Sequence, residues 1–299
     1  MLPWDSQAVF VMAESIKTVF TARSLAKPTR LDRMLRDQFP LWGRQAVKRL
    51  IAAGKVQLNG RVVWLASWEV QNGDRLEIAS APSPKAPPPD TFDDAWVIAQ
   101  EADVIAINKP AGLLCEPKRF SRTPNLLDLA SARFGKIVLF HRLDRDTSGV
   151  VLLTRPGEIN KYLDAAFKSH AIFKEYVAVV AMPNRLEPEG IIDVRLGPDP
   201  GRRDRMTVVQ RGGQRAVTRY SIESESNGRQ RVRLWPQTGR THQLRLHLAH
   251  LSAPILGDRL YGPRPGEIQR LLLHAERLEL PATEEFPARS FTAPLPNGF

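Results

Sequence analysis

Residues 81–90 read APSPKAPPPD, with five prolines in ten positions. Proline fixes φ and donates no backbone hydrogen bond, so such a run suits neither a helix interior nor a central strand. It favours extended backbone and acts as a semi-rigid spacer. A chain of 299 residues interrupted there is expected to fold as two bodies. The expected division is a loosely ordered segment over 1–27, a small module over 28–80, a linker over 81–90 and a large module over 91–299.

The small module reads helix, helix, hairpin. Thr29 is placed to cap RLDRMLRDQF, where Leu31, Met34, Leu35 and Phe39 share one face. A second helix is expected over 44–53, with Val47, Leu50 and Ile51 inward and Gly54 at its end. VQL and VVW flank Asn59-Gly60, a strong tight-hairpin signal, and Gly73-Asp74 turns before RLEI. Arg44, Lys48 and Arg49 crowd the polar side of the second helix, and Lys55 and Arg61 follow in the hairpin. Acids are scarce on that helix, so pairing along it does not explain the charges. One cationic face on so small a fold suits a phosphate backbone.

The whole chain carries 43 Lys and Arg against 32 Asp and Glu, a balance that points to a polyanionic partner. The single cysteine, Cys115, excludes an intramolecular disulfide and a cysteine-based zinc site, and reads as a small buried hydrophobe. No stretch reaches transmembrane length. The first twenty residues lack a basic leader, Glu14 interrupts their apolar run, and Met12 is an alternative start to Met1. These features together predict a cytoplasmic, monomeric protein with no membrane association.

The large module alternates short β-rich runs (DVIAINK, KIVLF, VVLLTR, IFKEYVAVVA, RQRVRLWPQ) with turns, and helical stretches fall near 157–169 and 241–251. There is no regular βαβ rhythm, so the fold class is α+β with a mixed, largely antiparallel sheet. No dinucleotide fingerprint, no phosphate-cradling loop and no HExxH motif occurs, and neither cofactor nor metal is expected.

Residues 141–149, HRLDRDTSG, place two Arg and two Asp between two apolar runs. From the loop alone, solvated polarity is the simplest account. The alternative is that Asp144, flanked by Arg142 and Arg145, is kept charged by those cations and acts as nucleophile or base. Thr147 to Gly149 supply turn geometry. Three segments strengthen the second account: INKPAGLL at 107–114, FKEYVAVV with Tyr176 in a strand, and QTGRTHQLRLHLAHLSAPILGDRLYG at 237–262. On the helix in the last of these, Leu244, Leu248 and Leu251 mark the buried face, and Arg245 points away from it.

Together these segments resemble the RluA-type RNA pseudouridine synthases. HRLDRDTSG is similar to that family's central motif, and TGRTHQLRLH with ILGDRLYG to its C-terminal motif. NKPAG, the KEY segment, LLLHAERLEL and FTAPLP fall in the family's order. The small module, through its RLD opening, basic helix and GKVQLNG turn, resembles the alpha-L RNA-binding domain shared with a small-subunit ribosomal protein. A related family with a similar N-terminal domain ranks second, because it usually lacks these forms of the motifs. LLCEP after NKPAG departs from the common pattern, and 121–134 matches loosely.

The resemblance implies conversion of uridine to pseudouridine in structured RNA without cofactor or metal. It implies Asp144 as the catalytic residue, Arg245 as its basic partner in a two-toothed pair, Tyr176 against the uracil and Arg142 in the gap left by a flipped base. Asp146 stays outside the chemistry. The fused RNA-binding domain implies large-subunit ribosomal RNA as substrate. The alternatives are a transfer-RNA pseudouridine synthase and an RNA-binding assembly factor with vestigial catalysis. A glycosidase would need paired carboxylates, and Asp144 with Asp146 is such a pair only in name.

Overall fold

The computed structural model describes residues 17–23, 25, 27–40, 42–79, 89–117, 123–263, 268 and 270–299, with the side chains of Lys17, Arg49, Ala79 and Arg203 excepted. The chain divides into two compact units, Met1–Pro87 and Pro88–Phe299. The expectations for residues 1–16 and for most of the Pro-rich stretch lie outside the described residues.

In the first unit the elements run β1 (Lys17–Thr21), β2 (Thr29–Arg30), α1 (Leu31–Gln38), α2 (Arg44–Ala52), β3 (Val56–Leu58), β4 (Arg61–Val62), β5 (Glu69–Val70) and β6 (Arg75–Ala79). The apolar stripes of α1 and α2 place Leu31, Leu35, Val47 and Ile51 in one core with Leu76 and Ile78 of β6, all fully buried. Asn59 and Gly60 both take positive φ, 50° and 79°, the geometry a two-residue hairpin between β3 and β4 requires. Two expectations are corrected. Residues 17–21, read as loosely ordered, form a strand antiparallel to β6, and Phe20 packs on the core. Thr29 is not the helix cap. It pairs with Val70 in the ladder, its hydroxyl donates to the Lys27 carbonyl at 3.1 Å, and Arg30 occupies the cap position.

The second unit contains β7 (Val97–Gln100), β8 (Val104–Lys109), α3 (Leu126–Phe134), β9 (Val138–Leu139), β10 (Ser148–Thr154), α4 (Ile159–Lys168), β11 (Phe173–Ala181), β12 (Glu189–Asp199), β13 (Arg202–Val209), β14 (Gln214–Ser226), β15 (Arg229–Pro236), α5 (Gln243–His250), β16 (Leu273–Leu280) and β17 (Arg289–Thr292). One sheet takes the order β13-β12-β14-β15-β11-β16-β10-β8-β7, with β17 on β16 and β9 on β10. Its strand pairs are antiparallel except β10 with β16, so the unit is α+β with a mixed, largely antiparallel sheet. Helix α3 has no counterpart in the sequence reading, although Asn125, whose side chain accepts from the Asp128 N–H at 3.0 Å, is a legible cap. The parallel pair brings backbone against backbone at Gly149, where φ is +119° and a Cβ would lie 2.1 Å from the Ala275 carbonyl oxygen. Only glycine admits both the dihedral and the approach. This close crossing fixes where the 141–149 loop leaves the sheet.

Candidate active site

The loop between β9 and β10 is pinned from beneath on both sides of Asp144. On one side the Leu143 N–H donates to the Cys115 sulfur at 3.2 Å, and the thiol lies 3.4 Å from the Leu143 carbonyl. On the other side the Arg145 carbonyl accepts from the Gly112 N–H at 2.7 Å and from Lys109 Nζ at 3.2 Å. Lys109 is fully buried and also donates to the Leu113 and Pro110 carbonyls at 2.8 and 3.0 Å. Burial lowers its pKa to about 8 despite the nearby carboxylates. The Thr147 N–H closes the turn onto the Asp144 carbonyl at 3.1 Å. INKPAGLLC is thus a cradle that orders the loop, and Cys115 is a buried structural thiol whose pKa is pushed up by desolvation.

The cations beside Asp144 in sequence are not its partners in space. Arg142 pairs with Glu116, and Arg145 forms a fork on Asp146 at 3.0 Å. Adjacency pairs Arg145 with Asp146, yet it gives Asp144 neither of its flanking arginines. The cation on Asp144 comes from 101 positions away, where Arg245 Nη1 reaches its Oδ2 at 3.1 Å.

Arg245 does not grip Asp144 with two teeth, as the resemblance implied. Its two-toothed partner is Asp258, through Nε and Nη2, each at 2.8 Å. Asp258 is buried and accepts further N–H bonds from Leu260 and Tyr261 at 2.8 and 3.1 Å. Burial opposes charge on both groups. The mutual fork overrides it, raising the Arg245 pKa and lowering that of Asp258. Asp258 thereby holds the guanidinium in place and leaves one N–H pair for Asp144. The sequence reading quoted GDRLYG without assigning its Asp. The signal was an Asp able to bond the backbone two and three residues on, beside a motif Arg.

Helix α5 is buried nearly all round, from Gln243 to Leu248, so Arg245 faces protein and cleft and not solvent. Gln243 locks the preceding turn, accepting from Thr238 Oγ1 and the Arg240 N–H and donating to the Val217 carbonyl and Thr218. His242 takes a left-handed φ of 57°, with Nδ1 3.0 Å from the Tyr261 hydroxyl and Nε2 3.9 Å from Asp144 Oδ2. Burial holds its pKa below the ordinary value against the pull of Asp144. His242 lines the cleft and Tyr261 holds its imidazole without lining it, and neither carries a role in the sequence analysis.

Asp144, Arg142, Tyr176, His242 and Arg245 line one cleft of about 110 Å³, floored by Leu143 and Leu273. Burial pushes the Tyr176 phenol above its ordinary pKa, with Asp144 adding to the effect, so near neutrality it stays protonated and can donate. Asp146 does not line the cleft. The arrangement offers one carboxylate, a clamped guanidinium, a phenol face and an imidazole around a space for a planar ring. No group of three or more His, Cys, Asp or Glu able to hold a metal occurs among the described residues.

In the first unit Arg44 and Lys48 line a separate groove of about 500 Å³ with Arg30, Arg33 and Arg36 of the β2–α1 segment, which the sequence reading did not include. Lys55 and Arg61 are exposed on the hairpin but do not line it, and the Arg49 side chain is outside the described residues. Among the described residues no carboxylate lies within ion-pair distance of Arg44 or Lys48.

Comparison with known proteins places these features in context. Residues 103–250 match the profile described as RNA pseudouridylate synthase, and residues 29–76 match the S4 domain. A ribosomal large subunit pseudouridine synthase D of Haemophilus influenzae is 30% identical over 90% of this chain and 89% of its own length. An uncharacterised RNA pseudouridine synthase of Zymomonas mobilis is 40% identical over 68% of this chain and 94% of its own. Among solved structures, human RNA pseudouridylate synthase domain containing 4 is 28% identical and covers 68% of this chain and 89% of its own, with a TM-score of 0.53.

Proposed function

The chain belongs to the RNA pseudouridine synthase family, and from that premise we propose that it converts uridine to pseudouridine in large-subunit ribosomal RNA with Asp144 as the catalytic carboxylate. The observation that carries the site assignment is the chain Asp144–Arg245–Asp258, in which a buried acid aims a buried guanidinium at a carboxylate lining a cleft. The S4 match and the names of the relatives support ribosomal RNA as the substrate.

The reaction breaks the bond from C1′ of the ribose to N1 of the uracil. It then joins C1′ to C5, while C5 loses a proton and N1 gains one, so nothing is oxidised and no group is imported. A carboxylate serves in either of two ways: it attacks C1′ to give an ester-like adduct, or it takes a ribose proton to give a glycal. Both require a charged Asp144 near the sugar, and Arg245 Nη1 meets its Oδ2 at 3.1 Å. The target base must leave its stack to reach the cleft. Tyr176 then lies against the uracil with its proton retained, and Arg142, whose side chain is 65% exposed, fills the vacated place in the RNA.

Mapping pseudouridine across ribosomal and transfer RNA, with and without the gene, tests the reading. The expected result is one or more sites in large-subunit ribosomal RNA that vanish on deletion and return with the wild-type gene but not with Asp144→Asn. Sites lost only from transfer RNA would replace the substrate. Unchanged modification throughout would leave an RNA-binding assembly factor as the better account.

A further inference from the structure

Next to the cleft lies a larger groove of about 690 Å³ where β11 and β15 meet. It shares Lys174, Pro236 and Thr238 with the cleft that holds Asp144. Its charged lining is Lys174, Arg215 and Arg219, its aromatic lining includes Phe173 and Trp235, and no carboxylate lines it. The volume falls in the range of ordinary ligand sites.

The cations differ in how far they are already committed. Arg215 is tied to Asp193 at 2.5 Å. Arg219 is only 3.8 Å from Glu189 and both are exposed, a pairing of little worth. It sits instead over the Trp235 ring, 5.4 Å from the centroid, on the directly opposed position of the neighbouring strand. Trp235 is fixed in orientation by its Nε1–H, which donates to Glu175 Oε2 at 2.9 Å. The result is a preset guanidinium-on-indole layer, a surface that stacks on any base. Lys174, two residues before Tyr176, has no carboxylate within ion-pair distance among the described residues. Burial disfavours its charge, which a phosphate would restore.

We propose that this groove is a subsite for a nucleotide flanking the target uridine, whose base stacks on the Arg219–Trp235 pair and whose phosphate meets Lys174. The proposal rests on the pseudouridine synthase reading for its position beside the target, and it goes beyond that reading by assigning residues to the substrate's neighbour. The flanking nucleotide is thereby held by stacking, which tolerates any base, and not by edge-specific hydrogen bonds.

The test uses the full-length chain carrying Asp144→Asn, so that binding is read without turnover, and oligouridylate as the probe. Tryptophan emission and labelled-RNA anisotropy are followed across a salt series. In that background Trp235→Leu is expected to weaken binding about tenfold and Trp235→Phe to restore most of it, as the loss of one stacked base implies. Lys174→Met is expected to lower the salt slope by about 0.7, the loss of one phosphate contact on a single strand. If Trp235→Leu proves misfolded by circular dichroism, Arg219→Ala and Lys174→Met carry the decision. Affinity and salt slope unchanged in the folded variants would overturn the subsite, whatever the wild-type enzyme does to ribosomal RNA. Weakened binding together with a wild-type chain that forms no pseudouridine would retain the subsite and overturn the function.

Discussion

Two groups of arginine and lysine in this chain work in opposite ways. Arg245 is 7% exposed and clamped between Asp258 and Asp144. Arg44 and Lys48 of the first unit are exposed and have no acid within ion-pair distance among the described residues. The first is set in direction by low dielectric and fixed bonds, the arrangement needed where one atom must be held against another. The second keep their hydration and their rotamers and act through field, which suits a phosphate chain of unspecified sequence. A buried charge is therefore expected to fail sharply when its partner is removed, and an exposed one gradually.

Removing Asp144 itself should have the largest effect. Asp144→Asn is expected to lower turnover about a thousandfold or more while RNA affinity stays within a few-fold, read by single-turnover assay and equilibrium binding. Comparable turnover would remove the cleft from the chemistry. Next comes Asp258→Asn, which leaves Arg245 buried without its fork. A loss of about 3 kcal/mol or more in urea unfolding of the second unit is expected, with slowed turnover. A loss no larger than that of a surface pair would erase the contrast between the two groups of cations.

The third prediction uses pH. Burial lowers the pKa values of His141, His247 and His274 to about 3, 4 and 4. Their folded values lie below the ordinary 6.5, so on acidification the unfolded chain takes up protons that the folded chain resists. Stability from these groups is complete above pH 6.5 and declines as pH falls towards 4, by up to about 3 kcal/mol for a buried site such as His247. All six histidines lie beyond residue 140, so the first unit should show no such window. Denaturant midpoints between pH 7 and 4 check this, and His247→Phe should flatten the slope. A slope unchanged by that substitution would mean that His247 is not held neutral.

Smaller still, Arg44→Gln and Lys48→Gln should each lower the salt slope of structured-RNA binding by about 0.9, without shifting the melting temperature. Asp146→Asn, which weakens the fork to Arg145, should leave turnover within about twofold. A large loss there would return Asp146 to the site.

Much of the first unit was legible because its signals are local. The helix stripes and the Asn59-Gly60 turn are set by residues a few positions apart, and the structure repeats them. Strand β1 escaped because its partner, β6, begins more than fifty residues later. Capping by Thr29 failed for the same reason, since pairing with Val70 competed for the residue. In the second unit Asp144, Arg245 and Tyr176 were named from motif resemblance and do line one cleft. Asp258 and His242 were in quoted motifs but had no visible task until the fold brought them within 4 Å of Arg245 and Asp144.

By itself, the sequence determined the order of modules, the α+β class, the basic character and the segments that build the cleft. These rest on proline geometry, short periodicities and net charge, which need no long-range contact. Only the tertiary structure decided which cation meets which carboxylate. HRLDRDTSG sets Arg142 and Arg145 beside Asp144, yet those arginines turn to Glu116 and Asp146, and Asp144 receives Arg245 from 101 residues away. Pairing depends on side-chain direction and burial, and both are fixed by the crossing of β10 with β16 and the buried fork on Asp258.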